Sequence, residues 1–361
     1  MGVGPGTVEA LVTSDIWRGR RVLLTGHTGF KGSWLALRLA ALGAETTGFA
    51  LVPDTTPNLF TLARIGDTLT HIEGDIRDRR ALADAIREAR PEIVLHLAAQ
   101  PLVRAGYAAP IETFATNVMG TAHLLDACRD VPDCRAIVIV TTDKVYRNLE
   151  HPYPYREDEA LGGHDPYSAS KAAAELVAAC WRNSYLRERG VAVATARAGN
   201  VIGGGDWSPE RLLPDAVRAW EAGQTLRVRR PDAIRPWQHV MEAVNAYLIL
   251  AEALWRAPEL AGAWNFGPEP GSAATVRNVI ELAREAYGAG EVRYETKDAG
   301  PHEAGWLVLE IAKARHALGF RPRWSLEEAI RRTMDWHRRL AEGADARALC
   351  TKDASDFEAA A

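Results

Sequence analysis

The chain has 361 residues, 47% of them hydrophobic, with 43 Lys and Arg against 47 Asp and Glu, a formal net charge of −4. This length suits one large α/β domain with an appended lobe, and the average apolar and charged fractions exclude disorder and collagen-like repeats. The mild acidity argues against a nucleic-acid partner, whose phosphates require a basic excess, and no stretch approaches the ~18 apolar residues of a membrane span. Residues 1–19 lack the basic start and apolar run of a signal peptide. Cys128, Cys134, Cys180 and Cys350 form no CxxC pair, so they read as reduced packing thiols of a cytoplasmic protein, and no metal site is expected.

In chain order, residues 1–20 form an arm, and from Arg21 short apolar runs alternate with amphipathic segments. Strands are expected at 21–25, 46–51, 70–76, 92–99, 136–142 and 191–201. Helices are expected at 33–43, at 82–91 where Pro91 stops the run, at 111–130 as one long element, and at 166–190 closed by Gly190. Apolar strands alternating with helices specify a doubly wound parallel sheet, a Rossmann-type fold. After Asn200 the texture loosens through GGGDW and the Pro/Gly-rich GPEPGS (267–272). This predicts a dinucleotide domain over 21–199, to which 233–267 returns with a helix at 240–257 and a strand at 263–266. A smaller substrate-binding lobe follows from 200–232 and 268–340, and 341–361 is a frayed tail.

Gly26, Gly29 and Gly32 lie between the first strand and the first helix, in TGHTGFKG. Glycine there permits a tight turn and close approach of a pyrophosphate to free N–H groups at a helix start. The spacing is GxxGxxG rather than GxGxxG. NAD is favoured as cofactor, although the second strand ends in Phe49, Ala50 and Leu51 without the carboxylate that would hold a ribose hydroxyl. No arginine precedes Arg64 in that loop to clamp a 2′-phosphate; Lys31 is either such a clamp or solvated. Asp75, in GDI, either meets the adenine edge or caps its own turn.

Tyr167 and Lys171, in YSASK, sit four apart on one helical face. A tyrosine serves as base for hydride transfer only if its pKa falls from about 10 to roughly 6–8, which the Lys171 ammonium and an oxidised nicotinamide can supply in a dry cleft. Thr142, Asp143 and Lys144 stand at the carboxyl end of the fifth strand, where ligand sites of α/β sheets lie. Thr142 can bond a substrate hydroxyl. Asp143 can act as an acid if protonated and Lys144 as a base if neutral, or the two form an inert ion pair.

GHTGFKGSW, AAQPLVR, TNVMGT, TTDKVY, DPYSASK, RAGNVIGGGDW, IRPWQHV and PHEA, in this order, resemble the extended short-chain dehydrogenase/reductase family, and within it the CDP-glucose 4,6-dehydratase branch. The similarity runs from about Arg21 to His337, and Asp143-Lys144 matches that branch where related dehydratases carry Asp-Glu. The resemblance implies an internal redox cycle in which NAD takes hydride from carbon 4 of CDP-glucose, water leaves across carbons 5 and 6, and hydride returns to carbon 6. In that cycle Tyr167 is the base at O4, Asp143 protonates the leaving hydroxyl and Lys144 is the candidate base at carbon 5. The motifs add Thr28, Phe30, Ile76, Leu97, Ala98, Ala99 and Asn117 to the cofactor set. They add Gln100 near the sugar, Asn200 and Arg235 at the diphosphate, and His239, with Trp207 and Trp237 as either cytidine pocket or packing. His302 and Glu303 are weaker candidates. The family expectation is a homodimer through helices 109–129 and 165–189. An epimerase on the same fold, or a non-catalytic NAD-binding regulator, are the rival expectations.

Overall fold

The computed structural model describes residues 12, 14–295 and 304–360; His302 and Glu303 lie outside them. Seven strands, β1 (Arg21–Thr25), β2 (Glu45–Ala50), β3 (Thr70–Glu73), β4 (Ile93–His96), β5 (Ala136–Val140), β6 (Ala192–Ala198) and β7 (Ala263–Phe266), form one sheet in the order β7-β6-β5-β4-β1-β2-β3. Every pairing is parallel. Parallel strands need crossovers on both faces, so their side chains are buried on both sides; every residue of β4, β5 and β6 is buried. Along β1, Val22 and Leu24 point into one core and Leu23 into the other, the period-2 alternation of a strand.

The first core is covered by the helices Phe30–Ala41 and Val240–Arg256, the second by Arg79–Ala89, Gly120–Cys128 and Pro166–Trp181. A third apolar cluster joins the helices Leu212–Glu221, Val276–Tyr287 and Leu326–Ala341 beyond the sheet's carboxyl edge. Strand order reverses between β4 and β1, and this switch point opens a crevice at the strand ends. Among the described residues no helix is long and apolar enough to cross a membrane, and no His, Cys, Asp or Glu cluster has metal-binding geometry. Cys128, Cys134 and Cys350 are buried, Cys180 is exposed, and all are free thiols.

Three expectations are corrected. The helix expected over 111–130 is interrupted by a π-turn at Ala115–Met119 between Pro110–Phe114 and Gly120–Cys128. The arm is not wholly detached: Ser14–Trp17 form a short helix, and buried Trp17 donates its indole N–H to Glu252 at 2.8 Å. The segment expected to fray instead forms the helix Ala346–Ala359, capped by Asp345 through Ala348 N at 2.8 Å. Its apolar stripe is thin (Leu349, Cys350, Ala354 and Phe357), so the sequence shows little period. Phe357 nevertheless packs edge-on against Trp324, and Arg332 holds Asp353 and Asp356 at 2.9 and 2.8 Å. Phe357→Ala is expected to lower unfolding free energy by about 3 kcal/mol or more in a urea titration, where a frayed tail would give no change.

Candidate active site

The glycine turn joins β1 to the helix Phe30–Ala41. Gly26 has φ +77°, and a Cβ built on it would stand 2.7 Å from Ala98 N. At Gly32 a Cβ would meet the Gly26 carbonyl oxygen at 2.0 Å. Gly29 is the N-cap and offers no side chain to the first N–H groups of the helix. The turn is therefore a cradle of unoccluded donors, fit for a diphosphate at a helix N-terminus. Thr28 ties the turn to the end of β2 through its hydroxyl and Leu51 O at 2.8 Å. Leu97 N and Ala98 N bond Thr25 O and Thr25 Oγ1 at 3.1 and 3.2 Å, which sets the Leu97–Ala99 backbone beneath the turn. Phe30 faces Gly203, and Ile76 packs against Gly120.

At the strand ends, Asp143, Lys144, Tyr167, Asn200, Arg235 and Trp237 line one cleft of about 330 Å³. Asp165 caps the helix Pro166–Trp181 through Ser168 N at 3.0 Å, and the helix presents Tyr167 to the cleft. Thr142 donates to Asp143 Oδ1 at 2.9 Å and lies within hydrogen-bond reach of the Tyr167 phenol. Asp143 Oδ2 is buried with no hydrogen-bond partner among the described residues, and Gly199 leaves room for it: a Cβ there would stand 2.0 Å from that oxygen. Asn200, with φ +42°, and Arg235 form the opposite wall. Arg235 donates to Ile234 O at 2.8 Å and to Ala304 O.

The electrostatics differ from the expectation for Tyr167. Burial pushes its phenol up to about 12, and Asp143 adds to the rise, against lowering contributions from Thr142 and Arg211. The Lys171 ammonium donates to Val140 O at 3.0 Å, and burial brings it down to about 8 against the opposing charge of Glu175. A chain that removes water from a phenol stabilises the neutral form first.

Several predicted residues have other work. Asn117, in the π-turn, accepts from Gln100 N at 2.8 Å and donates to Gln100 O and Ser170 Oγ at 3.1 and 2.9 Å, so it braces the loop. Gln100 bonds Thr113 Oγ1 at 2.9 Å and Leu102 N at 2.6 Å, which leaves Pro101–Arg104 as the cleft wall. His239 is fully buried as the N-cap of Val240–Arg256, between Trp34 and Trp324, and lines no cleft. Trp207 packs on Trp336 and His337. Asp75 accepts from the backbone and guanidinium of its neighbour Arg77, both at 2.8 Å, and is held below the usual carboxylate range by that contact. Lys31 is half-buried. It turns into the cleft, 3.4 Å from Tyr247 OH, where burial and then Arg211 and Lys171 bring it to about 7.

Sequence reasoning missed Arg104, Glu210, Arg211, Arg229 and Arg230 on the cleft wall. The arginine-rich run 227–230 was the available signal. Arg104 and Glu210 meet at 3.3 Å, joining the loop after β4 to the segment before Leu212–Glu221.

The family model described as GDP-mannose 4,6 dehydratase matches residues 23–333, most of the chain. The chain belongs to this family. Among family relatives it is similar to the CDP-glucose 4,6-dehydratase of Salmonella typhimurium, 44% identical over 356 residues, covering 97% of this chain and 99% of the relative. It is 32% identical to the dTDP-glucose 4,6-dehydratase of Streptomyces antibioticus over 88% of this chain and 92% of that one. Similar solved structures include the UDP-glucose 4-epimerases of Thermus thermophilus and Brucella ovis, each in complex with NAD. These have TM-scores of 0.76 and 0.75, with 28% and 26% identity. The alignments cover 88% and 87% of this chain, and 99% and 97% of theirs.

Gly32→Ala is expected to weaken dinucleotide binding at least about tenfold by calorimetry, because the helix start must shift away from the phosphates. Buried His96, His239 and His337 are brought down to about 3, 3 and 4, mainly by burial. The folded chain keeps them neutral while the unfolded chain protonates them below about 6.5, so stability is full above pH 6.5 and declines as pH falls towards 3. The slope is about 1.4 kcal/mol per pH unit for each fully titrating histidine, readable as a falling melting temperature from pH 7 to 5.

Proposed function

We propose that the chain converts CDP-glucose to CDP-4-dehydro-6-deoxy-glucose and water, using NAD that is regenerated within each turnover. The observation that carries this reading is the near-full-length 44% identity to a CDP-glucose 4,6-dehydratase, with Asp143, Lys144 and Tyr167 sharing one cleft. The open glycine cradle suits the cofactor's diphosphate, with Gly26, Gly29 and Gly32 as its contacts and Leu97–Ala99 beneath them. When bound, NAD accepts hydride from carbon 4 of the glucose and returns it to carbon 6.

Tyr167 receives the proton of the carbon 4 hydroxyl. Its phenol stands near 12 in the cleft, where Arg211 already acts to lower it; more positive charge must be close for it to ionise, and the Lys171 ammonium, one helical turn away, is the chain's second source. Thr142 orients the same hydroxyl. The resulting ketone acidifies the hydrogen on carbon 5; Lys144 removes it as a proton and returns a proton to carbon 5 when hydride reaches carbon 6. Asp143 gives its proton to the hydroxyl on carbon 6, which departs as water. Asp143 Oδ2 has no hydrogen-bond partner among the described residues, so it is free to meet the departing hydroxyl. Asn200 and Arg235 serve the substrate's diphosphate, a role suited to a planar guanidinium. The lobe from 200–232 and 268–340 holds the nucleotide.

A homodimer through helices 109–129 and 165–189 fits the exposed Ile111, Phe114, Met119 and Leu176 on those elements. A cytoplasmic setting fits the four free thiols.

Incubation with CDP-glucose is expected to yield the alkaline absorbance of a 4-keto sugar, and parallel incubations with UDP-, GDP- and dTDP-glucose read the base preference. Lys144→Ala is expected to retain hydride exchange at carbon 4 while elimination falls about 10²-fold or more. Equal loss of both steps removes Lys144 from its role.

A further inference from the structure

Beneath the cleft lies a second polar layer, whose Glu175 carboxylate enters the site above only as a charge opposing the fall of Lys171. Glu175, one helical turn beyond Lys171, is 4% exposed, and its carboxylate accepts four hydrogen bonds. Oε1 takes the Thr141 hydroxyl at 2.6 Å and Arg197 Nε at 3.0 Å; Oε2 takes the Thr195 hydroxyl at 2.6 Å and Arg197 Nη2 at 2.9 Å. Arg197 Nη1 then donates to the Tyr146 phenol at 2.8 Å, and that phenol donates to Asn265 Oδ1 at 2.6 Å. Thr141 and Tyr146 are the two ends of the segment that carries Thr142, Asp143 and Lys144.

We propose that Glu175, clamped by Arg197, is a positioning residue that pins both ends of the Thr141–Tyr146 segment to the helix bearing Tyr167 and Lys171. A dry carboxylate with every lone-pair direction filled by fixed donors has one arrangement. The pair thus sets the register between two groups of side chains that arrive from different elements. Tyr167 travels with the helix, whereas Asp143 and Lys144 travel with the segment. Loosening the pin shifts the acid and base of elimination relative to the sugar while leaving the tyrosine in place. Elimination therefore slows more than oxidation, and the cofactor waits in its reduced form. The inference rests on the dehydratase reading above.

The wild-type chain is tested first on CDP-glucose; no keto sugar there overturns the functional reading rather than this one. With an active wild type, Glu175→Gln is expected to lower kcat at least about tenfold while KM stays within about twofold. Reduced nicotinamide should accumulate during turnover, seen by its near-ultraviolet absorbance. Thr141→Val and Thr195→Val each remove one hydroxyl from the same carboxylate and should lower the melting temperature alike. Only Thr141→Val, which frees the segment, should reproduce the kinetic signature, and it carries the test if Glu175→Gln does not fold. Wild-type kcat with no accumulation of reduced cofactor in the folded variant, or equal kinetic losses in both threonine variants, overturns the proposal.

Discussion

Exclusion of water at the carboxyl edge of the sheet is the constraint on which the rest depends. The same burial that packs β4, β5 and β6 also surrounds Tyr167 and Lys171, and it opposes charge on both of them. That is why the phenol stands near 12 and the ammonium near 8, each displaced towards its neutral form. A small added positive charge then moves a proton that solvent would otherwise hold in place. The cleft is poised by desolvation, and a ligand's charge sets the direction.

Much of the fold was legible because parallel strands buried on both faces leave continuous apolar runs. RVLLT and AIVIV can hardly be anything else. The glycine turn was legible because a Cβ has no room at Gly26 or Gly32, so the chain must show glycine there. What sequence does not encode locally is where a side chain finds its partners. Asn117 and Gln100 look like ligand contacts in their motifs, but each finds its partners in the other and in Thr113 or Ser170, across the fold. His239 looks like a pocket residue, yet the helix that follows it needs a cap. The Ala346–Ala359 helix escaped notice because a few large side chains against Trp324 and Trp336 suffice, and a thin stripe has little periodic signal. The raised phenol of Tyr167 is a property of depth, which no spacing reports.

Shape and sequence divide along the same line. By shape, the chain resembles epimerases, because one fold hosts many chemistries. By sequence it falls with the dehydratases. The acid and base proposed for elimination, Asp143 and Lys144, follow Thr142 directly after β5.

The terminal helix Ala346–Ala359 leans on the first one, with Glu358 paired to Arg38 and Phe357 in the same core as Trp34 and Leu39. Vectorial synthesis therefore delivers the glycine turn hundreds of residues before its supporting layer exists. Residues 21–199 emerge with part of their apolar flank open until the helix Ala346–Ala359 docks on Phe30–Ala41.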